Sequence, residues 1–562
     1  MPNDHPLHSA AQREPRLPLW FTYLWQRLHE HNRFGLVLGA GVSYDAGIPM
    51  WKDLVDRLAH SVGIPANRLK LHRKEEFPET FLAEIFFRQH HAEEDKARTE
   101  HRDRYHRHLV NSTWKHKIRE CLYKDIENDD LETIAKRHAY LKPLAELVCQ
   151  AGFTVTFNFD DIVDQAVTAR VEEKLKATPD AKISKPEIIY HPKIETRKNA
   201  PVIYHINGSI PRDELRRSSE QVVLTEDAFA DVLLSPNSQD ADFVINQFAV
   251  RTFVLLGISL SDNSLKNILR SSAKRNPANH HFVIFHERDD RPRSKQVKAD
   301  IFDAYFHVYN LISIFLTTSE IKAFIEVLNA ADPEQLDDSL LKLGAHSTIQ
   351  RKYYIVGSVA SGKTSTIDAL RCFTTFEEFR GRIPAEMYQD DNTLTEKEQG
   401  IVDEYLFPAL IAKNRNMRQS HSGIRIMDRA FLDLFAFSKN GDAREVKRKA
   451  TELKERVRKH RAPLENGHIF FLQASPDALE ERLLKRGSRK AAGGKTGFEA
   501  ETLNQQEKFL SKIYPKTDAM DTSDLSPGEV ARKIAREILL GNYREFDFST
   551  RLDEIIAQDG QI

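Results

Sequence analysis

Residues 34–51 read Phe-Gly-Leu-Val-Leu-Gly-Ala-Gly-Val-Ser-Tyr-Asp-Ala-Gly-Ile-Pro-Met-Trp. The apolar run at 36–38 has the length and composition of a buried parallel strand. It ends in Gly39-Ala40-Gly41, where missing side chains let backbone N–H groups approach a pyrophosphate at a helix N-terminus. Ser43 offers a hydroxyl at the same turn. Gly47-Ile48-Pro49 then forces a second bend before a helical segment beginning near Trp51. A bare Gly-x-Gly also suits a tight strand–helix turn with no ligand, so the rest of the chain has to decide.

Working outward, residues 152–164 read Gly-Phe-Thr-Val-Thr-Phe-Asn-Phe-Asp-Asp-Ile-Val-Asp. This predicts a strand that delivers Asn158, Asp160 and Asp161 at its carboxyl end, the edge where open α/β sheets gather ligands. The same residues also suit a cap for a helix from Ile162 onward. Residues 201–210, Pro-Val-Ile-Tyr-His-Ile-Asn-Gly-Ser-Ile, predict another short strand running into an Asn-Gly turn. Alternation puts His205 and Asn207 on one face of it. A further strand ends at Gly257, where Ser259, Ser261 and Asp262 are placed to bond a ribose or to cap the next helix. Residues 282–285 form the last strand of the set.

In family order over residues 34 to about 315, these motifs resemble the sirtuin-like family: Gly-Ala-Gly-x-Ser with Gly-Ile-Pro, then Thr-x-Asn-x-Asp at Thr156, Asn158 and Asp160, then Gly-x-Ser-Leu from Gly257. The resemblance implies a Rossmann-like parallel sheet. It implies NAD bound by Gly39, Ala40, Gly41, Ser43, Gly257 and Ser259, with Asn158 and Asp160 facing the nicotinamide ribose. That family carries its catalytic His directly before Gly-Ser. Here Asn207 holds that position and His205 lies two residues earlier. His205 is the first candidate for general base, with Asn207 as a substitute polar contact to the cofactor and Asn207 and Asp161 next in line as base. Protein-deacylating members carry a zinc module built from two Cys-x-x-Cys pairs. Cys121, Cys149 and Cys372 cannot supply one, so no zinc is expected. Water is then the expected acceptor, and nicotinamide and ADP-ribose the expected products. Zinc-less bacterial members act in anti-phage defence by depleting NAD, which extends the expectation to that role and to a homo-oligomer.

A second landmark is Gly357 to Thr364, Gly-Ser-Val-Ala-Ser-Gly-Lys-Thr, after a predicted strand and before an apolar helix. Backbone N–H groups of such a loop, here with Gly357, Ser361 and Gly362, wrap phosphates. Lys363 neutralises β/γ charge and Thr364 is placed to ligate Mg²⁺. Downstream, a strand ends in Asp428-Arg429, and a helix after Ser475 sets Arg482 and Arg486 four residues apart. The acidic–Arg pair and a basic lid over ATP phosphates are similar to nucleoside and nucleoside-monophosphate kinases. That resemblance implies ATP or dNTP with Mg²⁺; an ordinary solvated basic face is the other reading of the arginines. Glu377, Glu378 and Glu386 stay open as substrate-side or base carboxylates.

The chain has 562 residues, more than one core supports. We read 1–33 as a loosely docked leader plus helix, and 34–318 as the sirtuin-like domain with a charged helical insertion at about 66–140. Residues 319–349 read as a helical linker, 350–545 as the P-loop kinase-like domain and 546–562 as a tail. Lys+Arg 82 against Asp+Glu 83 gives no global field for nucleic acid or membrane. No run of about 18 apolar residues suggests a membrane helix, and the polar first 20 residues lack a signal-peptide core, so a cytoplasmic location is expected. The leading expectation is an NAD hydrolase gated by nucleotide binding or phosphorylation at the second domain. The alternatives are an NAD-dependent deacylase or ADP-ribosyltransferase, a nucleoside or nucleotide kinase with an NAD-sensing domain, and a binding-only scaffold.

Overall fold

The computed structural model describes residues 5–97, 106–178, 182–191, 196–216, 218–234, 239–345, 348–377, 383–388, 394–418, 421–438, 442–490, 500–514 and 518–561. Two parallel sheets organise it. The first contains β1 (Phe34–Leu38), β2 (Phe153–Thr156), β3 (Glu187–Ile189), β4 (Val202–His205), β5 (Thr252–Leu256), β6 (His281–His286) and β7 (Leu311–Leu316). Their order is β3-β4-β2-β1-β5-β6-β7. The second contains β8 (Gln350–Gly357), β9 (Thr374–Phe376), β10 (Gly423–Asp428), β11 (His468–Gln473) and β12 (Asp518–Asp521), in the order β12-β11-β8-β10-β9. Strands of a parallel sheet are covered on both faces, so they read as unbroken apolar runs. Leu36, Val37 and Leu38 of β1 are fully buried accordingly.

β1 pairs with β2 on one side (Leu38 opposite Thr156) and with β5 on the other (Leu38 opposite Leu256). After β4 the chain crosses to the far side of β1, which makes the β1/β5 seam the switch point of the sheet. The insertion is helical, with the helices Ala66–Lys74, Glu79–Ala97, His106–Tyr123 and Leu131–Arg137. Among the described residues no helix is long and apolar enough to cross a membrane.

The amino-terminal segment, expected to be loosely docked, is instead central. Leu7, Ala10 and Leu17 are buried, and eight of the nine residues of the helix Leu17–Trp25 are buried. Such a helix has no polar face to offer water and must be enclosed. One side packs on the first sheet, with Trp20 against Phe282 and Tyr23 hydroxyl 3.2 Å from Thr252 Oγ1. The other side meets the second half. Trp20 Nε1 donates to the Leu539 carbonyl (3.0 Å), and the Tyr23 ring lies 5.0 Å from Phe373. Alternation along the second sheet separates its two faces: Tyr353, Ile355, Ile424 and Ile426 join this shared core, while Tyr354, Val356 and Met427 join a separate one.

The segment read as a linker is helical but packed, with Ile321, Phe324 and Leu328 buried and a Thr317/Glu320 capping box at its start. The segment read as a tail lies in the second core: Phe548 is fully buried, 4.9 Å from the Tyr354 ring. Removing Trp20 deletes packing to both halves at once. Trp20→Ala is expected to cost about 3–5 kcal/mol and to lower the urea midpoint of the full chain; an unchanged midpoint would refute the role of this helix as the shared wall.

Candidate functional site

At the switch point the turn after β1 and the turn after β5 cross at backbone contact. Gly39 N–H donates to the Leu256 carbonyl and Gly41 N–H to the Gly257 carbonyl, both at 2.9 Å. A methyl group on Gly41 would sit 2.9 Å from Gly257 Cα, and one on Gly257 would sit 2.8 Å from the Gly41 carbonyl carbon. Gly257 also has φ +63, a left-handed conformation that L side chains rarely adopt. The glycines therefore serve first to let two loops interlock. Two N–H groups expected to meet a pyrophosphate are engaged inside the protein, while Ala40, Gly41, Gly257 and Ser259 keep partial exposure at the edge. Ser259 Oγ lies 2.6 Å from Ser261 Oγ, and Asp262 caps the helix Asn263–Arg275 through Leu265 N–H.

Beside this crossing, the loop after β2 ties a polar knot. Asn158 Nδ2 donates to the Gly39 carbonyl and to Ser43 Oγ, each at 3.1 Å. Ser43 Oγ donates to Asp160 Oδ1 at 3.0 Å, which also accepts Ile162 N–H. Ser43 is buried with its hydroxyl engaged, so it braces Asn158 and Asp160; the expected hydroxyl contact to the cofactor is corrected on this point. Both amide hydrogens of Asn158 are directed inward, which leaves Oδ1 as the acceptor this side chain offers. Asp160 holds the knot and caps the helix Ile162–Ala177 at once.

Asp160, Asp161 and Asp164 are 5 %, 2 % and 3 % exposed. Burial pushes the Asp160 carboxyl up to about 6; the Ser43 and Ile162 hydrogen bonds oppose this and the charges of Asp161 and Asp164 add to it. Asp161 Oδ1 accepts from the Tyr123 hydroxyl (3.0 Å) and from Arg212 N–H (3.1 Å). Tyr123 and Arg212 line a cavity of about 1020 Å³ between the insertion helices and the 212–216 loop, whose walls do not include Gly39, Asn158 or Gly257. The glycine crossing, where the sheet edge and the polar knot meet, is the candidate site.

His205 departs from its expected place. β4 ends at His205 and the chain turns at 206–207, so strand alternation no longer applies beyond it. His205 is 1 % exposed; its Nδ1 donates to the Asn158 carbonyl (3.1 Å) and its Nε2 lies 2.9 Å from Asp164 Oδ2. Neither nitrogen is open to a substrate, which corrects the general-base assignment. Asn207 is the half-buried residue at the edge, its Nδ2 3.4 Å from the Phe157 carbonyl. Asp164, one helical turn after Asp160, is the partner that the sequence reading missed.

In the second half, β8 leads through a loop to the helix Lys363–Ala369, with Gly362 at φ +98 as its N-cap. Thr364 Oγ1 donates to Asp428 Oδ2 (3.2 Å) at the end of β10. Lys363 Nζ turns back onto the Gly357 and Ser358 carbonyls at 2.9 and 2.6 Å, with Ser361 Oγ at 3.5 Å, instead of projecting from the loop. Arg482, expected on a lid, reaches Thr522 Oγ1 at 3.2 Å and the Ser361 and Ala360 carbonyls at 3.4 and 3.5 Å, so it braces the loop. The side chain of Arg486 and all of Glu378 lie outside the described residues. Arg429 has φ +64 and faces Asp433 at 3.8 Å. Lys413 Nζ, 3.4 Å from the Asp428 carbonyl, and Glu507, whose carboxyl burial pushes upward, were not anticipated here. Glu377 pairs with Arg371 (3.6 Å), and Glu386 lies in the turn Ala385–Tyr388. Among the described residues no group of three His, Cys, Asp or Glu side chains converges as a metal site.

The interlocked turns predict a specific sensitivity. Gly257→Ala is expected to cost about 1–3 kcal/mol in strain and to displace the 39–41 turn, read as a lower denaturant midpoint together with weakened NAD binding; normal values of both would refute the interlock.

No curated protein matches the chain. Among solved structures, a thymidylate kinase from Candida albicans aligns at 13% identity with a TM-score of 0.24, over 34% of this chain and 92% of that one. A family model described as a SIR2-like domain matches residues 153–309, the stretch that carries Asn158, Asp160, Asp164, His205, Asn207 and Gly257, and this similarity is compatible with NAD-related activity.

Proposed function

We propose that the chain hydrolyses NAD at the nicotinamide–ribose bond and that nucleotide at the second site gates the reaction. One observation carries this reading. Asp160, Asp161 and Asp164 are buried at the carboxyl edge of the sheet. Among the described residues the only charged side chain hydrogen-bonded to any of them is His205. Such an edge favours a positive charge developing next to it. Cleavage of the C–N bond supplies one: the bonding pair leaves with neutral nicotinamide and the ribose becomes oxocarbenium-like. Asn158 Oδ1 orients a ribose hydroxyl or the attacking water. Water adds to the sugar carbon and its proton passes to Asp160, giving ADP-ribose. Asn207 at the edge supplies a polar contact in place of a histidine, and water is the acceptor in this reading, since three scattered cysteines cannot build the zinc module of the deacylating members.

For the second site, the Thr364–Asp428 pair is a hydroxyl and a carboxylate converging at a glycine loop, a donor set that fits Mg²⁺ with a nucleoside triphosphate. Those two residues would hold the ion, which neutralises phosphate charge when bound. Lys363 would exchange the loop carbonyls for phosphate oxygens. The gating reading rests on the contacts between the halves. Ile424 N–H at the start of β10 donates to Gln26 Oε1 (2.7 Å), and Gln26 Nε2 lies 3.3 Å from Thr374 Oγ1. Next to Gln26, Arg27 Nε donates to Thr252 Oγ1 (2.9 Å) at the start of β5, the strand that leads into Gly257. A nucleotide shifts the equilibrium only through different affinity for two states of this assembly.

Nicotinamide release, followed by chromatography with and without ATP, dNTPs and Mg²⁺, tests both parts. Asp160→Asn and Asn158→Ala are each expected to lower kcat by about 10²–10³-fold. In the wild type kcat is expected to rise as pH passes about 6, where Asp160 ionises, and Asp160→Asn is expected to lose that limb. Unchanged release in both variants would refute the site. Lys363→Ala and Gln26→Leu are expected to remove the nucleotide response; a wild-type rate indifferent to every nucleotide would refute the gate. In phage-infected cells, wild-type chain but not Asp160→Asn is expected to deplete NAD.

A further inference from the structure

We propose that Asp164 and His205 form a positioning pair: His205, anchored by Asp164, holds the Asn158 main chain so that the Asn158 and Asp160 side chains stay aimed at the cleavage edge, and it takes no proton in the reaction. The inference rests on the hydrolase reading for its catalytic consequence but not for its structural content.

The argument is one of hydrogen-bond inventory. A backbone carbonyl only accepts, so the His205 Nδ1 that lies 3.1 Å from the Asn158 carbonyl carries a hydrogen. The other nitrogen shares one hydrogen with Asp164 Oδ2 at 2.9 Å. Whichever partner holds that hydrogen, no lone pair of the imidazole is left for water or ribose. Near-complete burial of both side chains closes the remaining access. The groups facing His205 are Asp164 from the helix Ile162–Ala177, Asp160 from the preceding loop and Tyr190, whose ring lies 5.9 Å away beyond β3. Burial opposes the charged ring, but Asp164, the Asn158 carbonyl and Asp160 outweigh it and raise the His205 pKa. When the ring is protonated, the same attraction favours ionisation of Asp160.

Two sequence features that the reaction leaves over are thereby assigned. The histidine two residues before the expected position is a brace, and the carboxylate one turn into the helix is its anchor. Asn207 stays at the edge, bonded to the Phe157 carbonyl, where a proton acceptor is not needed if Asp160 receives the proton.

The test uses full-length wild type, His205→Gln, Asp164→Asn and the double variant, in two measurements from pH 5.5 to 9. Melting temperature reads the pair without any turnover. A histidine with a raised pKa contributes stability that is complete below its unfolded pKa, near 6.5, and that is lost as pH rises through the higher folded value. The wild-type advantage over His205→Gln should therefore shrink toward alkaline pH, and the two single losses should be non-additive in the double variant. Nicotinamide release reads the catalytic role. His205→Gln, which keeps one donor for the Asn158 carbonyl, is expected to retain roughly a tenth to a hundredth of kcat. It should keep the acid limb, displaced to higher pH by loss of the imidazolium. Additive losses of melting temperature overturn the pair, as does disappearance of the acid limb in His205→Gln with its survival in Asp160→Asn. Coupled melting with no NAD turnover in wild type would instead reject the hydrolase reading and leave the pair standing.

Discussion

A helix that is apolar on every side sets the terms for this molecule. The segment Leu17–Trp25 cannot be satisfied by one sheet, because a sheet covers only one flank of a helix. It needs a second wall, and the inner face of the second sheet provides it through Tyr353, Ile355, Ile424 and Ile426. The helix after the phosphate-type loop ends in the same core, where Leu370, Cys372 and Phe373 are buried, and Cys372 Sγ donates to the Ala278 carbonyl of the first half. Interiors packed at crystal-like density do not absorb displacements locally. Movement at either sheet edge must therefore be taken up by the other half or by the turns between them.

Those turns have a distinctive form. The helix passes into a π-helical turn, Gln26–Glu30, which is wider than an α-turn and of a kind frequent at functional sites. Its side chains reach in opposite directions: Gln26 to the main chain of β10, and Arg27 to Thr252 of β5 and the Val250 carbonyl. β10 ends at Asp428 and β5 ends at Leu256, just before Gly257, so the turn grips the roots of the two strands whose tips lead into the two candidate sites.

Much of this architecture was legible in the chain, and the illegible parts share a cause. The inner strands of both sheets announce themselves because a parallel strand buried on two faces has no polar positions to blur it. The partly exposed β3, β9 and β12 do not, and β7 lies beyond the strand at 282–285, the last of its set that the sequence predicts. The glycines at 39, 41 and 257 lie at the switch-point edge of the sheet, although their tightest constraint is each other. Sequence alone did not reveal which groups are already partnered. Strand parity placed His205 beside Asn207, but parity holds only while the strand lasts, and β4 stops at His205. Helical spacing placed Arg482 on an accessible face, yet the glycine loop exposes carbonyls that attract a guanidinium. Leu7, Leu17 and Phe548 are buried by partners distant in sequence, and short terminal segments carry no local sign of that.

The two edges differ in charge, and that difference separates what each can hold. The second half gathers Lys363 and Arg482 at its glycine loop and Lys413 and Arg429 beside Asp428, which on the nucleotide reading is a setting for phosphate oxygens. The first half buries three carboxylates in five residues, a setting hostile to phosphate and favourable to a cation. A dinucleotide can satisfy the first edge only if its anionic pyrophosphate stays at the glycine crossing and a cationic ring points toward Asp160. On the hydrolase reading, NAD meets that requirement and its reduced form does not. The dihydronicotinamide ring is neutral, gains nothing from the carboxylates, and cannot leave as a neutral amide by taking up the bonding pair. On the same reading, the buried charge at this edge also selects the oxidation state of the substrate.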